Sequence, residues 1–331
     1  MLVYILRRLA ISAAVLFSVI LITFVVFFLG PSDPAGAICG DSPSCTPERV
    51  DQIAAALGLD VPMHQQFTDF VGGIFVGREI SNGAFVKVCE APCLGWSYYR
   101  NAPVTELVLD AFPVTASLVF GGMIVYVILA LIAGVVAAKF RGTALDRVIV
   151  GGSQFISSIP YYVCALIFFL YAMVFTGIVP RAEWHKPWED PVAWFIGLLG
   201  VWLFYGTWAS AGYIRYVRAS MIDVQNSDYV RTARAKGLGE TAVSYKHGLR
   251  AAIAPFVTLV GMSVATELMG AIFTETIFGL PGMGKLAIDS FRQDDLPVIA
   301  GTVMLGAVLV TLGNLIVDLL YSVIDPRVRL Q

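Results

Sequence analysis

The sequence predicts an all-α membrane protein with six transmembrane helices and a long loop after the first. Hydrophobic residues make up 57% of the 331-residue chain and charged residues only 14%, against about 25% charged in soluble domains. Mean hydropathy is +0.77. Six apolar runs approach or exceed the ~20 residues a helix needs to cross hydrocarbon. They lie at Leu9–Leu29, Ala111–Ala138, Val148–Thr176, Val192–Tyr213, Ile253–Phe278 and Pro297–Tyr321. A large soluble protein with buried helices would need charged faces, which these runs lack.

The first run follows Arg7 and Arg8 and shares features with a signal peptide, including Ala35-Gly36-Ala37 at a cleavage-like position. Its length, about 21 residues, exceeds the usual apolar region of a signal, so a retained helix is expected. With the N-terminus inside, the inner segments hold Arg7, Arg8, Lys139, Arg141, Arg147, seven Lys/Arg from Arg215 to Arg250, Arg327 and Arg329. The positive-inside rule then places both termini in the cytoplasm. Net charge, −2, hides this asymmetry. Lipid is the expected surroundings, and no nucleic-acid partner is expected.

Residues 1–108 read as the first helix plus an external loop region, and 109–331 as a five-helix core. The loop from Gly30 to Glu106 is acidic, with nine Asp/Glu against four Lys/Arg. It holds Cys39, Cys45, Cys89 and Cys93, and an even count in an oxidising compartment points to two disulfides. Of three pairings, Cys39–Cys45 with Cys89–Cys93 is the simplest. Zinc is the alternative, although no nearby His completes a familiar spacing, and no metal site is expected. Cys164 falls mid-span, where packing suffices to explain it. Thr46-Pro47-Glu48-Arg49 reads as a helix start, followed by apolar Ile53 and Leu57. Phe67, Phe70, Val71 and Ile74 mark a second amphipathic stretch, and Gly83 to Pro103 reads as loop. A cap over a pore mouth, a surface for an external partner and simple padding all remain open for this loop.

The inner stretch at about 214–252 is basic and rich in small residues. Ser227 can cap a short helix with Asp228 in its first turn, and Gly237 can end it. Ala233 and Ala235 keep that helix slim, so another surface can approach its backbone. Gly239 and Glu240 open a second helical stretch toward Arg250. Such a handle fits docking, whereas an ordinary positive-inside loop would need the charge but not the capped architecture.

Gly279 to Leu286 contains G-x-x-x-x-G-K but lacks the Ser/Thr that should follow Lys285 to bind magnesium. It also follows a span rather than a strand. Pro281, Gly282 and Gly284 better suit a turn dipping back at a pore mouth. Four acids lie in or beside spans: Asp110, Glu267, Glu275 and Asp318. A mid-bilayer charge costs about 2.5–3.5 kcal/mol on insertion scales, so Glu267 should face a cavity or another helix. Pathway lining and structural hydrogen bonding both stay open for it. Asn314 and Asp318 share a helix face. His64, His185 and His247 all fall in loops, and neither H-E-x-x-H nor G-x-S-x-G occurs, so an enzyme is not expected. A self-sufficient secondary transporter would show internal repeats with broken helices at matching positions, and none is visible.

Several segments carry a resemblance. DYVRTARAKGL (Asp228–Leu238) and HGLRAAIAP (His247–Pro255) resemble the cytoplasmic coupling segment, or EAA-loop, of ABC importer permeases. LRRL (Leu6–Leu9), LGLDVPMHQQF (Leu57–Phe67), PVTELV (Pro103–Val108), SIPYY (Ser158–Tyr162), ETIFGLPGMG (Glu275–Gly284) and DLLYSVIDPRVRL (Asp318–Leu330) extend the match in family order. The chain is similar to the oligopeptide/dipeptide/nickel permease family, in its OppB/DppB-like branch. Arg231 stands where the general pattern has an acid, and the Cys-containing segments are not general family features. The resemblance implies a type I ABC importer permease fold in a bacterial cell membrane, and a non-catalytic subunit. It further implies a second related permease, two ATPase subunits that carry ATP and magnesium, and an external substrate-binding protein. Tyr229, Arg231, Ala233, Arg234, Ala235, Lys236 and Gly237 would form the ATPase-coupling segment. Peptide is the implied cargo, with a nickel chelate or haem as alternatives.

Overall fold

A computed structural model of the chain describes residues 2–29, 34–39, 45–56, 60–81, 86–97, 99–239, 243, 248–269 and 271–324. Helix dominates. The helices are α1 (Leu2–Leu29), α2 (Pro34–Cys39), α3 (Pro47–Ala56), α4 (Met63–Val76), α5 (Val104–Lys139), α6 (Ala144–Ser158), α7 (Tyr161–Phe168), α8 (Pro191–Gln225), α9 (Asp228–Ala235), α10 (Arg250–Glu267), α11 (Ile272–Phe278), α12 (Met283–Arg292) and α13 (Leu296–Ile324). A π-helical stretch, Phe169–Phe175, continues α7. Within α1, α5, α8 and α13 lie segments long and apolar enough to cross a membrane alone, and the bent pairs α6–α7 and α10–α11 bring the number to six if each is one span.

Three expectations are corrected. The run Val148–Thr176 is not one straight helix: its axis turns by 94° between α6 and α7. Pro160 lacks an N–H and forces the residue before it into extended backbone, and Ile159 has ψ 130°. The run Ile253–Phe278 likewise turns by 58° between α10 and α11. The basic stretch does not begin as loop at 214, because α8 continues to Gln225 and makes Arg215 and Arg218 helical. Helix α8 opens on a capped first turn, where Asp190 Oδ1 accepts from Ala193 N at 2.9 Å and Pro191 supplies the first helical residue.

The segment between α1 and α5 is also more regular than expected. Within Gly83 to Pro103, read as loop, lie β2 (Val86–Cys89), β3 (Trp96–Ser97) and β4 (Ala102–Pro103). Strand β1 (Arg78–Ser81) pairs antiparallel with β2, with Arg78 opposite Cys89, and β3 pairs with β4. Strands this short leave almost no alternation to read. Thr46 begins α3, its Oγ1 accepting from Arg49 N at 3.4 Å, while Leu57 lies outside the described residues. The disulfides are Cys39–Cys45 and Cys89–Cys93.

The chain forms two compact units. One comprises Met1–Thr115, Leu268–Ile272 and Pro281–Leu312. Val104, Val108, Met283 and Val298 are its fully buried centre, and Phe24, Phe70 and Met304 form a second cluster. Buried Ser97 donates to Asp295 Oδ2 and accepts from Arg100 N at 2.9 Å, pinning the β3–β4 hairpin to the start of α13. Burial raises the Asp295 carboxyl above its ordinary range, against the opposing effects of Ser97 and the Arg100 charge. The sign follows: the carboxyl's contribution to stability is greatest below its unfolded value of about 3.9 and is lost as pH rises through the folded one. Asp295→Asn keeps an acceptor without the charge. It is expected to hold or raise the melting temperature at neutral pH and to flatten its pH dependence. Ser97→Ala is expected to cost about 1–3 kcal/mol by leaving a buried acceptor short of its donor. Thermal unfolding of the purified chain across pH measures both.

The other unit comprises Ala116–Glu267, Phe273–Leu280 and Gly313–Gln331. Here α5 and α8 cross closely. A Cβ on Gly121 would fall 2.1 Å from the Trp202 ring, and one on Gly206 2.5 Å from Val125. Without those side chains the backbones approach as membrane helices prefer, and Trp202 Nε1 donates to Ser117 O at 3.0 Å.

Candidate functional site

The handle is α9, and its two faces differ sharply. Val230 and Ala233 are buried against Val243 and Val224, so an apolar side seats it beside the end of α8. Tyr229, Arg231, Arg234, Ala235, Lys236 and Gly237 are exposed. Arg231 Nη1 lies 3.8 Å from Asp228 Oδ1 with both side chains largely in water, so this pair adds little stability. Arg234 Nη1 donates to Gln225 O at 3.4 Å. The handle thus presents a basic surface from a fixed apolar seat.

Two details of its construction differ from the sequence expectation. Ser227 does not cap α9 through its side chain; its Oγ donates back to Val224 O at 2.5 Å. Ala233 does not keep an outer face slim but fills the inner seat, leaving Ala235 as the small exposed residue. Gly237 ends the helix with φ +80°, a conformation that glycine adopts without the Cβ penalty. Leu238 N then donates to Ala233 O at 3.4 Å and Gly237 N to Arg234 O at 2.9 Å. Of the second stretch toward Arg250, residues 240–242 and 244–247 lie outside the described residues.

Glu267 ends α10 beside the Tyr205 hydroxyl. Its Oε2 is buried and has no hydrogen-bond partner among the described residues, as is also true of Tyr126 Oη. The rings of Tyr126 and Tyr213 stack at 5.1 Å. Tyr213 Oη donates to Ser263 Oγ at 2.6 Å, and Tyr161 Oη meets Thr274 Oγ1 at 2.7 Å. In the sequence Tyr161 stands out only within SIPYY, and Tyr126, Tyr205 and Tyr213 not at all, because nothing local marks which tyrosines will meet Glu267. Glu275 is fully buried on α11. Asn314 is exposed on α13, and the Asp318 side chain lies outside the described residues.

The Pro281-Gly282-Met283-Gly284 turn is packed rather than open. Only Pro281 is exposed, and Met283 N donates to Thr115 Oγ1 at 2.9 Å. Lys285, the lysine of the P-loop-like string, holds Asp289 at 2.6 Å one helical turn on. A Cβ on Gly284 would fall 2.8 Å from Ile272 Cα, where backbone must move. Gly284→Ala is therefore expected to destabilise the chain by about 1–3 kcal/mol, measured as a lower detergent-solubilised melting temperature.

A second constellation passed unnoticed in the sequence because its members are 72 positions apart. Asp146 in α6 accepts from Arg218 of α8 through both oxygens, at 2.7 and 2.8 Å, and Gly142 N adds a third bond at 2.9 Å.

The described residues thus join membrane-length helices to a basic helix seated on its apolar side. The description "Binding-protein-dependent transport system inner membrane component" matches residues 130–330, and that of the N-terminal part of such membrane components matches residues 1–119. The chain belongs to this family. It is 34% identical over 352 residues to the dipeptide transport system permease protein DppB of Escherichia coli K12, covering 99% of each chain. It is 33% identical to the di/tripeptide transport system permease protein DppB of Pseudomonas aeruginosa, covering 100% of each. To the oligopeptide transport system permease protein AppB of Bacillus subtilis it is 32% identical, covering 98% of this chain and 99% of that one. The chain is a permease subunit of a binding-protein-dependent importer and a multi-pass protein of the cytoplasmic membrane.

Proposed function

We propose that this permease forms half of a peptide translocation pathway and converts ATPase motion into alternating access. The carrying observation is the handle, whose apolar side is seated on α8 while Tyr229, Arg231, Arg234 and Lys236 face outward. In this reading each bent pair is one of six spans, and both termini are cytoplasmic. A second related permease completes the pathway. Two ATPase subunits, carrying ATP and magnesium, receive the handles, and an external binding protein delivers cargo. Closure of the ATPases on ATP pushes α9, and α8 carries the displacement along a rigid helix. The paired permeases then open outward, and hydrolysis resets them. Peptide as cargo is supported by relatives whose names specify dipeptides, di/tripeptides and oligopeptides.

The test is reconstitution of the full transporter in vesicles with labelled dipeptide and loaded binding protein. ATP-dependent accumulation, with hydrolysis rising on addition of loaded binding protein, is expected. Uptake without ATPase subunits would overturn the reading in favour of secondary transport. Accumulation of a nickel chelate or haem but not peptide would overturn the cargo.

A further inference from the structure

We infer that Glu267 receives the terminal ammonium of a peptide cargo, in a cage formed by the rings of Tyr126, Tyr161, Tyr205, Trp208 and Tyr213. This deepens the reading of the chain as half of a peptide pathway and rests on it.

Glu267 is the last residue of α10, where unpaired helix carbonyls add partial negative charge to that of the carboxylate. The Tyr205 hydroxyl hydrogen-bonds to this carboxylate, yet Oε2 is buried without a partner, and among the described residues no cation balances the charge. Tyr126, Tyr161 and Tyr213 also stand close enough to feel it. Trp208, which shares a face of α8 with Tyr205, packs on Tyr161 with ring centroids 4.9 Å apart. Its Nε1 is a second buried polar atom with no partner among the described residues, and Tyr126 Oη is a third. The rings are held in place. Tyr161 Oη meets Thr274 Oγ1 at 2.7 Å, Tyr213 Oη donates to Ser263 Oγ at 2.6 Å, and Tyr205 lies against Gly122, where a Cβ would fall 2.3 Å from its ring. Little order therefore remains to be imposed on binding.

The unpartnered atoms call for a cation and an acceptor together. A buried carboxylate without a counter-charge is costly, and aromatic faces attract the cation that would relieve it. An indole N–H can only donate, so Trp208 requires an acceptor, while Tyr126 Oη can act either way. A peptide's α-ammonium and its first carbonyl are separated by a single carbon, so one chain terminus supplies both. A divalent metal ion would need more ligands than one carboxylate, and no group of three His, Cys, Asp or Glu suited to a metal occurs among the described residues. Tyr126 is fully buried, whereas Glu267, Tyr205, Trp208 and Tyr213 are half-buried, so the cluster has a closed floor and an open side. Lipid against that side would leave the carboxylate uncompensated in hydrocarbon; a cargo passing between paired permeases would not.

Photo-cross-linking to the assembled transporter in detergent, without binding protein, tests the site free of the binding protein's own selectivity. The probe is photoleucyl-alanine, a dipeptide with a diazirine on its first side chain, compared with its N-acetyl derivative. Adducts of the free-amino probe are expected at Tyr161, Tyr205 and Trp208 several-fold above those of the acetylated one. Unlabelled dialanine should compete, and N-acetyl-dialanine should not. Glu267→Gln should remove the preference for the free amino group, and Glu267→Asp should restore part of it. Trp208→Phe, which keeps a ring but no N–H, should lower labelling by the free-amino probe. Adducts equal for the two probes, or a preference that survives Glu267→Gln, would overturn the site. Where Glu267→Gln fails to co-purify with the other subunits, the two probes on the parent transporter decide the matter alone. ATP-driven accumulation of labelled dipeptide in vesicles judges the peptide reading separately. A parent transporter that accumulates dipeptide without amino-dependent adducts loses the ammonium site and keeps the pathway, whereas one that accumulates none loses both.

Discussion

An Ala233→Glu chain is expected to insert and assemble, yet to show about tenfold less stimulation of ATP hydrolysis by loaded binding protein, a coupling loss of about 1.4 kcal/mol. The physical reason lies in the seat of the handle. Ala233 is 7% exposed and packs with Val230 and Val243. A carboxylate there must either be buried without a counter-charge or lever α9 off its support. The helix would still form, because the change leaves its end at Gly237 intact. What is lost is rigidity between α9 and α8, so motion at the ATPase would be spent in the joint. Ala235→Glu provides the contrast. Ala235 is exposed, so that variant leaves the seat alone and alters only the docking surface. It is expected to weaken association with the ATPase subunits, read by co-purification, whereas Ala233→Glu should co-purify and fail in coupling. If Ala233→Glu couples normally, the handle does not act as a seated lever.

What the sequence made legible follows from the range over which each signal acts. Membrane-length hydrophobicity and local charge are sums over neighbouring residues, so the membrane-length helices α1, α5, α8 and α13 and the exposed basic segment were readable. The glycine that ends α9 is equally local, because φ +80° at Gly237 is a property of one residue. Breaks within apolar runs were harder. Pro160 announced the bend after α6, but the apolar run continues across it, and hydropathy alone cannot register a change of direction. The inner half of the handle was misread for a related reason. Alanine is small whether it faces a partner or its own core, and only Val243, ten residues on, shows that Ala233 turns inward. The tyrosines around Glu267 and the ring-to-backbone contact at Gly121 depend on which helices become neighbours. That information is absent from any single segment.

The Asp146–Arg218 pair joins α6 to α8 within the second unit and yields the other large effect. Asp146 is 4% exposed and accepts three hydrogen bonds, two from the Arg218 guanidinium in a bidentate arrangement and one from Gly142 N. It therefore fixes the α5–α6 turn and joins α6 to the part of α8 that leads into the handle. A fork-to-carboxylate contact resists both sliding and rotation, which a single bond does not. Asp146→Ala removes all three bonds and leaves a guanidinium facing a desolvated turn, the costly way to break such a pair. The expected result is a several-fold loss of membrane-inserted chain in cells, with a lower melting temperature for what remains. Asp146→Asn keeps the acceptor and the turn but not the charge, and should fall between Asp146→Ala and the parent. Arg218→Lys should resemble it, since an ammonium cannot reproduce the planar fork. The exchanged pair, Asp146→Arg with Arg218→Asp, separates the two roles of the aspartate. It can restore attraction between α6 and α8 but cannot accept from Gly142 N, so only partial recovery is expected. Full recovery would mean that the turn contributes nothing, and none would mean that the turn, rather than the ion pair, holds α6 in place.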